Sequence, residues 1–404
     1  MKLRSLDHVD VKGKTVLVRV DYNVPLDVEA GHVRVSDDKR IRASLSTINH
    51  LRAERCRVVL VSHLGRPKGP SPELSLEPVA ERLGKLLKTE VHFVHSCIGE
   101  EAEKAAAGLE PGGVLLLENV RFHAEEKQND PGFAKALAKV VGKEGFYVND
   151  AFGTAHRAHA STRGVADHLP GAVGFLIEDE VERLSKVMRR PERPFVLVLG
   201  GAKVSDKILL IENLLPKVDR ILIGGGMAFT FLKALGHETG KSLLEADRVE
   251  AAKTLLLRAK AEEVDIVLPE DFVVAAGLRP DADTKVVESR AIPADRMGLD
   301  IGPRTAQIFT RHLQQARTIL LNGPMGVFEM DAFAQGTAQV VHTMASAEAY
   351  TLVGGGDSAA AVERFGMTDQ MDHVSTGGGA SLEFLEGKVL PGLEPFLVTQ
   401  DATA

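Results

Sequence analysis

The chain has 404 residues, of which 44% are hydrophobic and 26% charged, and its formal net charge is -7. That length exceeds the size at which a single core keeps growing, so two domains are expected, and the balance of apolar and charged residues excludes a disordered or fibrous chain. The negative charge gives no reason to expect nucleic acid or an anionic membrane surface as a partner, so any anion must be held by a local site.

The two cysteines, Cys56 and Cys97, stand apart with no CxxC or Cys/His spacing. This argues against a disulfide scaffold or a structural zinc site and suits a reducing compartment. No apolar signal core opens the chain, and no run of about 18 apolar residues occurs in it, so the reading is a cytoplasmic protein.

From the N-terminus, short apolar runs occur at TVLVRVD (15–21), RVVLVSH (57–63), GVLLLENVRF (113–122) and GFYVND (145–150). Helical segments lie between them: Phe133, Leu137, Val140 and Val141 fall on one face. The segment 173–190 then places Ile177, Val181, Leu184 and Met188 on one helical face before Pro191 stops it. It reads as a rigid connector. Beyond it come PFVLVLGG (194–201), RILIGGG (220–226), DIVLPEDF (265–272), TILLNGP (318–324), YTLVGGG (350–356) and HVSTGGG (373–379). Strands alternating with helices predict an α/β chain of two Rossmann-like domains, each a parallel sheet flanked by helices, joined by an inter-domain helix and hinge. The expected domains are residues 1–172 and 173–388.

Open parallel sheets bind ligands beyond the carboxyl ends of their strands. In the first half those ends carry Arg19, Asp21 and Asn23, then His63 and Arg66, then Arg121 and His123, then Asp150, His156, Arg157 and His159. A lone arginine there is more often a solvated surface residue, but the same bias at successive ends suits a small, multiply charged anion held by guanidinium forks. In the second half the ends carry glycines: Gly200 and Gly201, Gly224 to Gly226, Gly323, Gly354 to Gly356, and Gly377 to Gly379. One such triplet is a common turn; three, each after a strand, suit backbone approach to phosphates and an adenine ring.

No GxxxxGK[ST] occurs, and no convincing GxGxxG fingerprint, which disfavours a plain dehydrogenase. In LGGAKVSDKI, Lys203 and Lys207 are expected on one helical turn, aimed at phosphates or forming a solvated surface pair. Asp357 in GGGDS suits magnesium carried on nucleotide phosphates, or serves only as an N-cap.

These segments together resemble the phosphoglycerate kinase family, in order and over nearly the whole chain, through RVDYNVP, DDKRIRAS, SHLGRP, LENVRFH, VNDAFGTAHRAHAST, LGGAKVSDKI, IGGGMAFTFL, GLDIGP, NGPMGVFE, GGGDSAA and STGGGASLEFLEG. The resemblance implies a hinge-bending monomer that moves a phosphoryl group between 1,3-bisphosphoglycerate and ADP, giving 3-phosphoglycerate and MgATP. It implies a phosphoglycerate site of Asp21, Asn23, Arg40, His63, Arg66, Arg121 and Arg157. For the nucleotide it implies Gly201, Lys203, Lys207, Gly225, Gly226, Asn322, Pro324, Val327 and Glu329, with Glu329 at the ribose, and Gly355, Gly356, Asp357 and Ser358 at the phosphates and Mg2+. Arg40, Lys203 and the backbone of Gly378 and Gly379 would flank the transferred group. The resemblance also implies that the tail 389–404 returns to the first domain. One departure is Leu321, where the family often has Trp; it leaves packing near the adenine pocket open. Two rival readings remain: a kinase for another small carboxylate, and a nucleotide-binding regulator that closes on its ligands without turnover.

Overall fold

The computed structural model describes residues 2–29 and 32–398. The chain divides into two compact units, Met1–Glu182 with Val389–Ala404, and Arg183–Lys388. The division falls inside the helix Phe175–Arg189, whereas the sequence reading set the boundary ahead of it, at 172/173. The reason is packing. Ile177 and Val181 are buried, and Phe175 packs against the first unit's core.

The first unit contains β1 (Thr15–Val20), β2 (Leu26–Glu29), β3 (His32–Val35), β4 (Arg57–Val61), β5 (His92–Val94), β6 (Val114–Leu117), β7 (Phe146–Asp150) and β8 (Gly171–Val173). Six of them form one parallel sheet in the order β5-β6-β4-β1-β7-β8. Val16 to Val18, Val58 to Val61 and Val114 to Leu117 are fully buried, as expected where both faces of a sheet are covered. The strand order reverses between β1 and β7, which places the ligand crevice at the ends of the central strands. β2 and β3 form a separate hairpin.

The C-terminal segment packs on this same unit. Leu390, Leu393 and Phe396 are buried, Phe396 lies 6.0 Å from the Tyr147 ring, and the Gly392 amide donates to the Ala155 carbonyl at 2.8 Å. Residues 399–404 of the expected tail lie outside the described residues.

The second unit contains β9 (Phe195–Leu199), β10 (Arg220–Ile223), β11 (Asp265–Val267), β12 (Asp271–Ala275), β13 (Lys285–Glu288), β14 (Met297–Ile301), β15 (Thr318–Asn322), β16 (Tyr350–Val353) and β17 (His373–Val374). Its six-stranded parallel sheet runs β11-β10-β9-β15-β16-β17, with the reversal between β9 and β15. All six apolar runs of this half form its strands. β12, β13 and β14 make a small antiparallel sheet that periodicity did not reveal, because the run 265–272 reads as one strand and is in fact two, β11 and the start of β12.

Candidate active site

In the first unit, neighbouring strands β6, β4, β1 and β7 deliver Arg121, His63 with Arg66, Asp21 with Asn23, and Arg157 to one sheet edge. Arg40 arrives separately, on the short helix Lys39–Ala43. Its Nη1 donates to Asp21 Oδ2 at 2.8 Å, and Asp21 Oδ1 lies 3.8 Å from His63 Nδ1. Asn23 Oδ1 accepts from the Gly65 amide at 2.8 Å, and Arg121 Nη1 donates to the Gly65 carbonyl at 2.5 Å. The loop between His63 and Arg66 is thereby clamped from both sides.

Asn119 holds the same loop from below. It is fully buried; its Oδ1 accepts from the Leu64 and Arg121 amides at 3.1 Å, and its Nδ2 donates to the Leu64 and Leu74 carbonyls at 2.8 and 2.9 Å. Arg66 is exposed and makes no hydrogen bond or ion pair among the described residues. Arg157 Nε donates to His156 Nε2 at 3.1 Å.

Crowded positive charge dominates the electrostatics. Burial, then Arg157 and Arg19, bring Arg121 down to about 10. Burial, then Arg19, Arg121, Arg157 and Arg40, hold His63 well below the usual histidine range, and burial with Arg121, Arg19 and Arg157 brings His159 to about 4. Guanidiniums cannot shed their charge, so the imidazoles stay neutral. A cluster that raises its own neighbours' cost of protonation is one that an incoming anion relieves.

Three residues grouped with this edge in the sequence reading do other work. Arg19 is inside β1 and fully buried. Asp150 turns away, its Oδ1 accepting from the Leu176 amide at 2.9 Å. His123 stacks on Phe133, ring centres 5.0 Å apart. Glu126 escaped the sequence reading. It is a fully buried carboxylate that accepts from the Ser161 amide and hydroxyl at 2.8 and 2.6 Å. Only its place among exposed acids in HAEEKQND could have signalled it, and that signal is weak.

In the second unit the glycines divide into two kinds. Gly200, Gly225 and Gly323 bring three loops together: the Gly200 amide donates to the Asn322 carbonyl at 3.1 Å, the Gly201 amide to Pro324 at 2.9 Å and the Gly225 amide to Met325 at 3.0 Å. A Cβ on Gly200 would stand 2.0 Å from the Pro324 oxygen, and one on Gly323 2.3 Å from the Gly200 oxygen. Gly201, Gly356 and Gly378 are open, with nothing near an added Cβ. This second set leaves open space beside the backbone, which a ligand could approach.

A cleft of about 360 Å³ adjoins these loops, lined by Gly201, Gly225, Gly226, Pro324, Val327, Glu329 and Asp357 of the expected set. Its apolar wall comes from Phe229, Phe272, Leu299 and Met325, with the Phe229 and Phe272 rings 4.6 Å apart. Half of this wall went unread because β12 supplies Phe272 and β14 supplies Leu299. Leu321 is in the core with Val198, Ile319 and Met325 and does not itself line the cleft.

Lys203 and Lys207 do not share a helical turn. The helix begins at Ile208 with Lys207 as N-cap, and Ser205 is held outside it by Glu245, which accepts from the Ser205 hydroxyl at 2.6 Å and its amide at 3.1 Å. Lys203 is exposed, whereas Lys207 donates to Asn322 Oδ1 and burial holds it below the usual lysine range. Asn322 and Ser358 are buried positioning groups: Asn322 Nδ2 donates to the Gly354 carbonyl at 2.9 Å, and Ser358 Oγ accepts from the Gly323 amide at 2.6 Å. Asp357 is not the N-cap. Gly355 is, at φ 93°, and Asp357 stands in the first turn of Gly356–Arg364, exposed and, among the described residues, without a hydrogen bond. Gly378, at φ 53°, opens the helix Gly379–Leu385 at the same sheet edge.

Among the described residues no group of three or more His, Cys, Asp or Glu side chains could hold a metal ion. An exposed carboxylate beside open glycines, Asp357, fits magnesium that is held mainly by phosphates and water.

The phosphoglycerate kinase family profile matches residues 6–388. The chain is 57% identical over 390 residues to the phosphoglycerate kinase of Moorella thermoacetica, covering 96% of this chain and 98% of that protein. It is 54% identical to that of Anaeromyxobacter, covering 98% and 99%. The solved phosphoglycerate kinase of Coxiella burnetii superimposes with a TM-score of 0.87 at 42% identity over 98% of both chains, and that of Pyrococcus horikoshii with 0.78 at 34% over the same shares. A basic edge in one unit, a glycine-lined cleft in the other and these matches over almost every residue lead to one conclusion: the chain belongs to the phosphoglycerate kinase family.

Proposed function

We propose that the chain catalyses reversible phosphoryl transfer between 1,3-bisphosphoglycerate and ADP, giving 3-phosphoglycerate and MgATP. The observation that carries this reading is the division of chemistry: cations cluster at one sheet edge, and open backbone beside an apolar cleft lies at the other. In this reading Asp21, Asn23, Arg40, His63, Arg66, Arg121 and Arg157 hold the phosphoglycerate. The cleft takes the nucleoside, with Glu329 toward the ribose, while Gly201, Lys207 and the amides from Gly355 to Ser358 take the phosphates. Asp357 is the protein ligand of the nucleotide's magnesium, which neutralises phosphate charge when bound.

The acceptor is a carboxylate and is ionised at neutral pH, so no general base is needed. His63 and His159, held neutral, act as hydrogen-bond partners and not as proton carriers. What remains is to neutralise a loose transition state and align two anions in line. Arg40, Lys203 and the backbone at Gly378 and Gly379 do the first, and closure of the two units does the second. We read the enzyme further as a cytoplasmic monomer without nucleic-acid or membrane partners; among the described residues no helix is long and apolar enough to cross a membrane.

The test is steady-state formation of 1,3-bisphosphoglycerate from 3-phosphoglycerate and MgATP, coupled to NADH oxidation, with Lys203→Ala as control. Turnover of the native chain is expected, with kcat in the variant lowered at least 100-fold and nucleotide affinity within about threefold. A variant with full kcat would overturn the role given to Lys203. A native chain that binds both ligands without turnover would overturn the kinase reading.

A further inference from the structure

Beneath the basic edge runs a chain of buried groups whose hydrogen positions are all forced. Glu126, Ser161 and Arg19 are fully buried and His63 is 2% exposed. A carboxylate receiving an amide and a hydroxyl can only accept, so the Ser161 hydroxyl donates its proton to Glu126 Oε1, at 2.6 Å. The Ser161 oxygen is then an acceptor, and Arg19 Nε donates to it at 2.8 Å. A guanidinium has no lone pair to offer, so Arg19 Nη2, 3.0 Å from His63 Nδ1, must donate to that nitrogen. Nδ1 is therefore bare. Were it protonated, two donors would face each other at that distance.

A second proton on the ring is opposed by everything around it. Arg19, Arg40, Arg121 and Arg157 all disfavour the charged form, and Asp21 Oδ1, at 3.8 Å, is already engaged through its carboxylate by Arg40. The one ring proton must sit on Nε2.

We infer that Glu126, Ser161 and Arg19 are positioning residues that lock His63 in its neutral Nε2–H tautomer, making it a one-way hydrogen-bond donor to an oxygen of the phosphoglycerate. This rests on the reading of His63 as a substrate ligand. None of the three touches the substrate. They act through His63 alone, and through them the donor keeps its proton at any pH at which the site holds its charges.

The experiment uses the full chain labelled with 15N-histidine, in long-range 1H–15N spectra at pH 6 to 8, with His63 assigned by its disappearance in His63→Gln. The expected signature is a bare Nδ1 and a protonated Nε2 that do not change across that range. A doubly protonated ring, or a proton on Nδ1, overturns the inference without any variant being needed. Ser161→Ala removes the link between Glu126 and Arg19; it should mix the His63 tautomers and raise KM for 3-phosphoglycerate about 5- to 30-fold, with KM for MgATP unchanged and kcat within about twofold. Ser161→Thr retains the hydroxyl and should restore both readouts. If Ser161→Ala leaves tautomer and KM as in the native chain, the positioning role is overturned. If the tautomer is as stated but His63→Gln leaves KM for 3-phosphoglycerate unchanged, it is the substrate reading of His63 that fails.

Discussion

Asp150 ends β7 and is fully buried, beneath the start of the helix Phe175–Arg189. Its Oδ1 accepts from the Leu176 and Ile177 amides at 2.9 and 3.4 Å, while Oδ2 is buried with no hydrogen-bond partner among the described residues. Gly174 makes room for it: a Cβ there would stand 2.3 Å from Oδ1. Desolvation outweighs the donors, which include the Thr47 hydroxyl, and pushes the carboxyl from 3.8 up to about 7. The folded chain therefore keeps a proton that the unfolded chain releases near pH 4. Stability from this group is fully present below the unfolded value and is lost as pH rises through the folded one. Between pH 5 and pH 8 the loss works out at about 2.5 kcal/mol from those two pKa values. Asp150→Asn keeps the acceptor and cannot ionise, so its stability relative to the native chain should rise by about that amount over the same range. Urea unfolding at pH 5, 6, 7 and 8 measures it. Tyrosine fluorescence is a suitable probe, since the chain has no tryptophan and two of its three tyrosines, Tyr22 and Tyr147, are in the first unit. A stability difference that stays flat with pH would mean the carboxylate is ionised in the fold, held by the helix N-terminus, and the burial argument would be wrong.

Arg66→Ala should raise KM for 3-phosphoglycerate by about 10- to 150-fold, the equivalent of a lost charge-assisted hydrogen bond of about 1.5–3 kcal/mol, while leaving the unfolding transition in place because Arg66 is exposed and makes no hydrogen bond or ion pair among the described residues. A KM unchanged in steady-state assays would remove Arg66 from the site. Gly323→Ala places a Cβ 2.3 Å from the Gly200 oxygen at φ 101°, so the second unit should lose at least about 2 kcal/mol of stability and bind MgATP more weakly. Isothermal titration with MgATP together with denaturant unfolding tests this, and native values in both would show that the loops tolerate separation.

The fold class was legible because parallel strands buried on both faces leave near-continuous apolar runs, and every such run in the second half became a strand of its sheet. β5 and β8 escaped because edge strands of three residues, such as His92–Val94, carry too few apolar positions to register. The antiparallel β12 to β14 escaped for a different reason: its exposed strand Lys285–Glu288 has no apolar period, and the start of β12 reads as the end of the run that forms β11. The pair Lys203 and Lys207 shows where spacing misleads. Four residues apart implies one face only if a helix is present, and whether it is depends on Glu245, forty positions away in Ser205's hydrogen bond.

Residue type told where charge would gather; it could not tell which members of a motif meet the ligand and which hold the others in place. Arg19 and Arg121 look alike at strand ends, yet one is sealed beneath the sheet edge and the other reaches the loop of His63. The glycines repeat the ambiguity. Gly200 and Gly323 are small because two backbones cross there, whereas Gly201, Gly356 and Gly378 are small over open space. Both uses leave the same letter in the sequence, since the requirement in each case is only that no side chain be present. The two sets should therefore separate by experiment along different axes. Alanine in the crossing set strains the fold first and affinity second, while alanine at Gly356 should leave stability nearly unchanged and act on nucleotide binding alone.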